Sequence, residues 1–168
     1  MAKLAVDKYL HAYRVQRGLA GCSLRFANVY GPRQGAKGEA GVIAVFCKRL
    51  RQGLAPILNG DGLQTRDFVY APDLALAVSR VIALGATGVY NLGTGQECSI
   101  LSVAEALCGD AGMERGRIER APAIAGEQRR SVLDPDKANR VLGWQARTGL
   151  REGLAQTYRW FAAEEASV

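Results

Sequence analysis

Apolar and polar residues along this chain repeat with the two periods that distinguish helices from strands. Apolar residues three or four positions apart predict helices over residues 3–17, 41–52, 72–84, 99–111, 134–142 and 150–163. Short apolar runs between turn residues predict strands over residues 22–27, 56–58, 66–70, 89–92 and 117–120, and a loop over 28–41. Because helices and strands alternate, the sequence predicts an α/β fold, with too few strands for a complete doubly wound sheet.

No repeat, low-complexity segment or linker divides the sequence, so residues 1–168 are predicted to form a single domain. The composition, 48% hydrophobic and 23% charged, is typical of a soluble globular protein. No apolar run approaches the roughly 18 residues of a membrane span, and the charged start at Lys3, Asp7 and Lys8 is unlike a hydrophobic leader. We therefore expect a cytoplasmic location and no membrane partner.

The formal net charge of +6 points to an anionic partner. The basic residues form no arginine-rich arm and no basic strand interleaved with aromatic residues, so nucleic acid is not the expected partner. A phosphate-bearing small molecule needs only one or two arginines. A solvated basic surface accounts for most of the others.

The cysteines and the single histidine, His11, lack the spacing of metal ligands. Cys22, Cys47, Cys98 and Cys108 lie far apart in mostly apolar surroundings, whereas zinc sites use closely spaced ligand pairs. Disulfides are also unusual in a cytoplasmic chain. The sequence therefore predicts no metal site and four cysteines that act as small hydrophobic residues.

Two polar residues next to predicted strands are candidates for ligand binding. Asn28 directly follows a strand, where α/β proteins place ligand contacts; it either binds a phosphate or sugar oxygen or only tolerates a tight turn before Gly31. Arg66 lies at the head of a strand next to Asp67. Its guanidinium either grips a phosphate while Asp67 holds it in place, or forms an ordinary surface pair with that carboxylate.

A Gly93-Thr94-Gly95 turn lies between a predicted strand and a predicted helix, as in dinucleotide-binding loops. The third glycine of such a loop is missing, because Cys98 and Ser99 occupy that stretch. NAD binding by this turn is therefore not expected. Ser99 is instead expected to cap the helix that follows, since its hydroxyl can accept an amide proton of the first turn.

Six segments occur in an order that is characteristic of one protein family. They are Lys3-Leu4-Ala5; Leu24-Arg25 followed by Asn28-Val29-Tyr30-Gly31-Pro32-Arg33-Gln34; Gly60-Asp61-Gly62-Leu63-Gln64-Thr65-Arg66-Asp67-Phe68-Val69-Tyr70; Tyr90-Asn91-Leu92-Gly93-Thr94-Gly95; Gly126-Glu127 followed by Arg129-Arg130-Ser131 and Asp134; and Leu142-Gly143-Trp144. Over essentially the whole chain, this order resembles NAD-dependent nucleotide-sugar epimerases and dehydratases, and most closely UDP-glucose 4-epimerase-like members of the extended short-chain dehydrogenase/reductase superfamily. The resemblance implies a partial Rossmann-like fold, namely the C-terminal substrate-binding part without the N-terminal NAD-binding part.

The resemblance implies a set of contacts with the phosphates of a nucleotide-diphosphate sugar. Asn28 would contact the diphosphate or the sugar. The helix start at Gly41 and Val42 would offer backbone amides to phosphate, an arrangement that suits a helix N-terminus. Arg66 would clamp a phosphate.

The resemblance also implies contacts with the nucleoside and one catalytic remnant. Ile57 and Asn59 would lie near the base, and Glu127 would reach the ribose hydroxyls. Lys3 matches the lysine of the family's catalytic Tyr-x-x-x-Lys pair, whose tyrosine would lie before residue 1.

The sequence departs from the family pattern in two ways. The glycine-rich NAD loop and the catalytic tyrosine are absent from the 168 residues, so hydride and proton transfer are not expected from this chain alone, and no cofactor is expected to bind to it alone. The family also has an arginine two residues before its Gly-Glu or Gly-Asp pair, where this sequence has Ile124. Arg129 or Arg130 would have to replace that arginine.

The sequence therefore predicts a truncated relative that binds a nucleotide-diphosphate sugar but is not catalytic alone. Two alternatives remain: a subunit of a split epimerase that a separate NAD-binding chain completes, and a non-enzymatic oligomerisation or interaction module. In the parent fold, the strands at 22–27 and 89–92 belong to the sheet of the NAD-binding domain. Without that domain they would have free edges and an uncovered apolar face. We therefore expect a homo-oligomer or a separate partner chain to cover them.

Overall fold

The computed structural model describes residues 2–35, 40–114 and 116–164, with side chains from Leu4 onward. The helices are α1 (Ala2–Arg17), α2 (Val42–Arg51), α3 (Ala71–Leu84), α4 (Ile100–Asp110), α5 (Asp136–Leu142) and α6 (Leu150–Ala163). The strands are β1 (Cys22–Phe26), β2 (Asn28–Tyr30), β3 (Ile57–Asn59), β4 (Thr65–Arg66), β5 (Phe68–Tyr70), β6 (Gly88–Leu92), β7 (Cys98–Ser99), β8 (Glu119–Ala121) and β9 (Arg130–Ser131). The predicted α/β class and all six predicted helices are confirmed.

The strands form small, mostly parallel groups. The pairs β1–β6, β2–β5 and β3–β8 are parallel, and β4 lies between antiparallel β7 and parallel β9. This is a partial Rossmann-like arrangement, as predicted. None of the helices in the described ranges is both long enough and apolar enough to span a bilayer.

Two predicted boundaries are wrong because consecutive residues pair with different strands and no turn residue separates them. The Ala27 amide still donates to Leu92 O of β6 (3.0 Å), whereas the next amide, that of Asn28, donates to Asp67 O beside β5 (2.8 Å). Asn28 therefore begins strand β2 and not a loop. The predicted strand 66–70 is likewise divided at Asp67 into β4 and β5, which pair with different neighbours.

Two groups of buried apolar side chains hold these elements together. The first lies where α2, α4 and α6 pack on one another and on β2 and β5, and it includes Tyr30, Phe46 and Leu107. The second lies among α3, α5, β5 and β6, and it includes Val69, Leu92 and Trp144. The predicted helix cap is confirmed, because Ser99 Oγ accepts a hydrogen bond from the Ser102 amide (3.1 Å).

Helix α1 packs against β1 mainly through a polar contact. Asp7 is its only buried residue among the side chains described for α1, and its carboxylate accepts hydrogen bonds from Ser23 and Arg25. The apolar side chains of α1 are largely exposed, with Tyr9 67% and Val15 71% accessible, and Phe26 of β1 is 45% accessible. Exposed apolar side chains are therefore present on α1 and at Phe26 of β1, whereas no residue of β6 is exposed.

Candidate functional site

A cavity of about 280 Å³ opens between the start of α2 and the ends of β3 and β4. All but one of the residues predicted to contact substrate line it: Asn28, Gly41, Val42, Ile57, Asn59, Arg66 and Glu127. The remaining walls are formed by buried apolar residues, including Phe46, Leu58 and Ile100, and by Gln64. Segments from six parts of the sequence therefore meet at one cavity.

The first turn of α2 lies at one wall of this cavity, and its N-cap residue makes no side-chain hydrogen bond to it. Gly41 is the residue before the helix, and as a glycine it supplies no side-chain acceptor to the first-turn amides. Such amides carry the positive end of the helix dipole and favour a negatively charged ligand. The wall at Gly41 and Val42 is therefore suited to a phosphate group.

Arg66 supplies the positive charge of the cavity. Its Nη1 donates to Thr65 O (2.8 Å) and Gln128 O (2.7 Å), and its Nη2 donates to Glu127 Oε1 (3.3 Å). The side chain is only 16% exposed, so the backbone carbonyls hold the guanidinium in one orientation. A guanidinium has five N–H groups. These three contacts leave donor capacity at Nε and Nη2 for a ligand.

Asp67 does not pair with Arg66, so the contact between them that both sequence-based interpretations assumed is wrong, whereas phosphate binding by Arg66 stays a prediction. Its buried carboxylate accepts from Thr94 N (2.9 Å), Thr94 Oγ1 (2.6 Å), Gly95 N (3.2 Å) and Leu133 N (3.4 Å). The carboxylate therefore ties β4 and β5 to the turn after β6 and to the segment after β9. The Thr94 and Gly95 amides, which a phosphate-binding loop would offer to a ligand, are already used by Asp67.

Arg129 lies outside the cavity lining, although it was predicted to contact substrate. Its Nη1 and Nη2 donate to the two carboxylate oxygens of Asp61 at 2.9 and 3.1 Å. This pairing, helped by the Leu63 amide, lowers the pKa of Asp61 to about 2. Arg130 is also engaged elsewhere, since its Nε donates to Glu97 Oε1 (2.6 Å). Both arginines are therefore paired with other carboxylates, and neither lines the cavity.

The side chain of Lys3 lies outside the described residues, so its predicted role stays a prediction. A second cavity of about 770 Å³ lies along β1 and the start of α1, and its lining includes Leu4, Leu24 and Phe26. The Asp7 carboxylate lies at its edge, where hydrogen bonds from Ser23 and then Arg25 lower its pKa. The exposed lining surface of this cavity is mostly apolar, whereas that of the cavity around Arg66 is mostly polar.

Gln64 is a cavity residue that the sequence analysis did not single out. Its side chain is only 4% exposed, and its Nε2 lies 3.4 Å from each carboxylate oxygen of Glu127 and 3.5 Å from Asn59 O. Its position in the Gly60–Tyr70 motif, two residues before Arg66, is the feature of the sequence that indicates a site residue.

Among residues 4–35, 40–114 and 116–164, no three histidine, cysteine, aspartate or glutamate side chains gather as metal ligands would. Cys47 and Cys108 are buried thiols, and burial raises the pKa of Cys47 to about 12. A thiol with such a pKa stays protonated at neutral pH and is a poor nucleophile.

Comparison with known proteins identifies the class to which this arrangement belongs. The family model described as GDP-mannose 4,6 dehydratase matches residues 1–157. The chain is 40% identical over 160 residues to UDP-glucose 4-epimerase of Mycolicibacterium smegmatis, covering 95% of this chain and 51% of that protein. The chain is therefore a member of the GDP-mannose 4,6 dehydratase family.

Solved structures agree with this assignment. UDP-glucose 4-epimerase from Thermotoga maritima, determined with UDP-glucose, matches with a TM-score of 0.91 and 37% identity, over 95% of this chain and 52% of that one. The Thermus thermophilus UDP-glucose 4-epimerase complex with NAD matches with a TM-score of 0.86 and 37% identity, over 98% and 52%. The chain spans about half the length of these relatives. The predicted resemblance to the C-terminal half of UDP-glucose 4-epimerase-like proteins is confirmed.

Proposed function

We propose that the cavity around Arg66 binds a nucleotide-diphosphate sugar. The observation that carries this proposal is the convergence of a buried, backbone-oriented arginine and the uncapped start of α2 on one cavity. Two negatively charged phosphates match these two positive features. The relatives named above, which are UDP-glucose 4-epimerases, support the same ligand class.

The rest of the cavity suits the nucleoside. Ile57 offers an apolar surface to a base, and Asn59 offers polar groups at its edge. The Glu127 carboxylate accepts hydrogen bonds, so it is suited to sugar hydroxyls. Asn28 also lines the cavity, and its backbone amide is fixed by donation to Asp67 O.

We further propose that this chain is not catalytic on its own. In the described residues, the turn at Thr94 and Gly95 gives its amides to Asp67, so it does not fit the diphosphate of NAD. Epimerase turnover by the purified chain with added NAD would contradict this part of the proposal.

Calorimetric titration with UDP and UDP-glucose tests the binding site. We expect saturable binding by the wild-type chain and a loss of about 10- to 100-fold in affinity for Arg66→Met, the equivalent of one charge-assisted hydrogen bond. Arg129→Met is the matched control, because Arg129 pairs with Asp61 outside the cavity lining. Absence of heat at millimolar UDP, or equal losses in the two variants, would contradict the proposal.

A second candidate function is that of one subunit of a split epimerase, and the exposed apolar surface of α1 and β1 favours it. Leu4, Tyr9, Val15 and Phe26 are exposed there, next to a cavity of about 770 Å³. A surface of this kind marks a site of association. The occupant that we propose is an NAD-binding chain equivalent to the half of the relatives that this chain does not span.

Mixing this chain with the NAD-binding half of the Mycolicibacterium smegmatis enzyme tests the second candidate. A stable complex on size exclusion, with epimerase activity that neither part shows alone, is the expected result. A stable dimer of this chain that persists in the mixture would instead indicate self-association through the same surface. If the chain stays monomeric and does not bind the added half, the result would contradict both forms of association.

A further inference from the structure

A third cavity, of about 360 Å³, lies among the loop after β2, the last turn of α2 and the end of α6. Its lining includes three cationic side chains, Arg33, Lys48 and Arg51, and one carboxylate, Glu164, so the cavity has an excess of two positive charges. Its lining and that of the cavity around Arg66 have no residue in common. It is therefore separate from the proposed nucleotide-sugar site.

The excess positive charge of this cavity is not neutralised within the part of the chain that the structure describes. Glu164 Oε2 lies 3.9 Å from Arg51 Nη1, whereas neither Arg33 nor Lys48 has a carboxylate partner among the described residues. Lys48 and Arg51 lie three positions apart on α2, so their like charges share one face and repel each other. The helix dipole favours cations in the last turn of α2. It does not account for Arg33, which belongs to another segment.

The backbone at Arg33 is in a conformation that an arginine adopts only at a cost. Its φ is 66°, and among the described residues it is the only non-glycine with a positive φ. Such strained positions cluster at ligand-binding sites, where the surrounding structure holds them. Here Gln34 fixes the loop, because its Nε2 donates to Val29 O (3.2 Å). An arginine at a position that suits glycine therefore indicates a use for its guanidinium.

An aromatic side chain supplies the apolar wall of this cavity. Trp160 is half-buried and lines the cavity next to Phe161, which is 4% exposed. The two rings meet edge to face, with centroids 5.0 Å apart and an interplanar angle of 89°, so the indole is held in one orientation. An accessible indole offers a stacking surface to a planar ring. The cavity volume is also within the range of small-molecule sites and larger than an inorganic phosphate needs.

We propose that this cavity is a second binding site, which takes a nucleoside polyphosphate. Arg33 and Lys48 bind its phosphates, because an arginine fork and a lysine ammonium are the usual cationic partners of phosphate oxygens. Trp160 stacks on its base. The ligand supplies the negative charge that the described residues around Arg33 and Lys48 lack. This inference does not depend on nucleotide-sugar binding at Arg66, because the two cavities have separate linings.

Tryptophan fluorescence during titration with ATP, tripolyphosphate and adenosine tests the site and its ligand class. The other tryptophan, Trp144, is 3% exposed and donates to Asp73 O, so quenching by a ligand reports on Trp160. We expect saturable quenching by ATP, binding of tripolyphosphate about tenfold weaker because it has no ring, and no binding of adenosine. Calorimetry measures the binding of tripolyphosphate, which does not stack on the indole. Arg66→Met should bind ATP at the quenching site as the wild type does.

Three variants locate the site. Lys48→Gln and Arg33→Gly should each weaken ATP binding by about tenfold, the equivalent of one charge-assisted hydrogen bond. Arg140→Gln is the matched control, because it removes one exposed positive charge outside the cavity and should change the affinity by less than about twofold. Arg33→Gly should also raise the unfolding temperature, since glycine adopts a positive φ without strain. A stability gain with an affinity loss distinguishes a binding arginine from a structural one.

Each contrary result overturns a stated part of the inference. Absence of quenching at millimolar ATP overturns the site. Equal affinities for ATP and tripolyphosphate overturn the stacking of a base on Trp160, and with it the ligand class. Quenching that is lost in Arg66→Met but kept in Lys48→Gln and Arg33→Gly would place ATP in the first cavity and overturn the inference. None of these results bears on UDP-glucose binding, which the Arg66→Met and Arg129→Met titrations test separately.

Discussion

The two ends of this molecule are built differently. Around Arg66, buried polar groups are satisfied by partners from distant segments, and three helices pack on the strands behind the cavity. Around α1, one buried carboxylate, Asp7, joins the helix to β1, and apolar side chains remain exposed. The first region completes its own core, whereas the second presents a surface that is suited to association.

Because of this difference, we expect mutations in the binding site to change stability and mutations in the association surface to change association. Changes near the cavity should lower the free energy of unfolding, because they remove buried contacts. Changes on the exposed face of α1 should leave it almost unchanged and should alter association instead. The four predictions that follow test this contrast from the largest expected effect to the smallest.

Asp67→Asn should have the largest effect on stability. The amide would turn a donor toward amide groups that now donate to the carboxylate, and we expect a loss of about 3 kcal/mol in the free energy of unfolding. Urea denaturation of the variant measures it. Asp136→Asn, at an exposed position in the first turn of α5, is the control and should change little. A loss below about 1 kcal/mol would show that the Asp67 contacts do not hold the site together.

Gly153→Ala should come next. A methyl group at this buried position of α6 would occupy the space of the Tyr30 hydroxyl, which is packed directly against it. Because overpacking forces neighbouring side chains to shift, we expect a loss of about 2 kcal/mol.

Gly149→Ala is the matched control for this substitution. Gly149 precedes the same helix with φ of −62°, and nothing within 4 Å would meet an added methyl group. Thermal unfolding of the two variants side by side is the measurement. Equal transition temperatures would contradict tight packing between Tyr30 and α6.

The double variant Tyr9→Gln, Tyr13→Gln alters two exposed side chains that lie four residues apart on one face of α1, and it should change the free energy of unfolding by less than about 0.5 kcal/mol. The same variant should weaken association with an NAD-binding chain, or with a second copy, in sedimentation experiments. A large loss of stability would mean that α1 packs more tightly than its exposure indicates. Unchanged association would remove this face from the interface.

Asp61→Asn should have the smallest effect, which is present at neutral pH and is lost in acid. Its paired carboxylate has a pKa lowered from 3.8 to about 2, mainly by Arg129. The lowered value stabilises the folded chain above pH 3.8, and this contribution is lost as the pH falls from there to about 2. The difference in transition temperature between wild type and variant should therefore shrink over that range. A difference that stays constant would contradict the pairing with Arg129.

The sequence predicted the elements well because they depend on local patterns. Apolar periodicity located all six helices, and the Ser99 cap follows from the chemistry of its own hydroxyl. The order of the motifs predicted the family and the residues that line the cavity. Partner changes between strands could not be predicted, because β2 and the division at Asp67 depend on which distant strand lies alongside.

Side-chain pairing was the part of the site that could not be predicted. Arg66 and Asp67 are adjacent in sequence, yet alternate directions along an extended chain send them to different partners. Arg129 was expected at the ligand, but Asp61, 68 positions away, holds it outside the cavity lining. Gln64 could not be predicted as a cavity residue from its type alone, because an uncharged side chain can be assigned to a site only when its burial and its neighbours are known.

The α/β class, the family and the segments that contribute to the cavity can be predicted from the sequence alone. Hydrophobic periodicity and motif order, on which these predictions depend, are both visible in the linear sequence. The partner of each polar side chain depends on the tertiary structure. Asp67 accepts from the turn after β6, Glu127 accepts from Gln64, and Arg129 donates to Asp61. The physical reason is that hydrogen bonds and ion pairs act over a few ångströms. Those distances arise only when segments far apart in sequence are folded together.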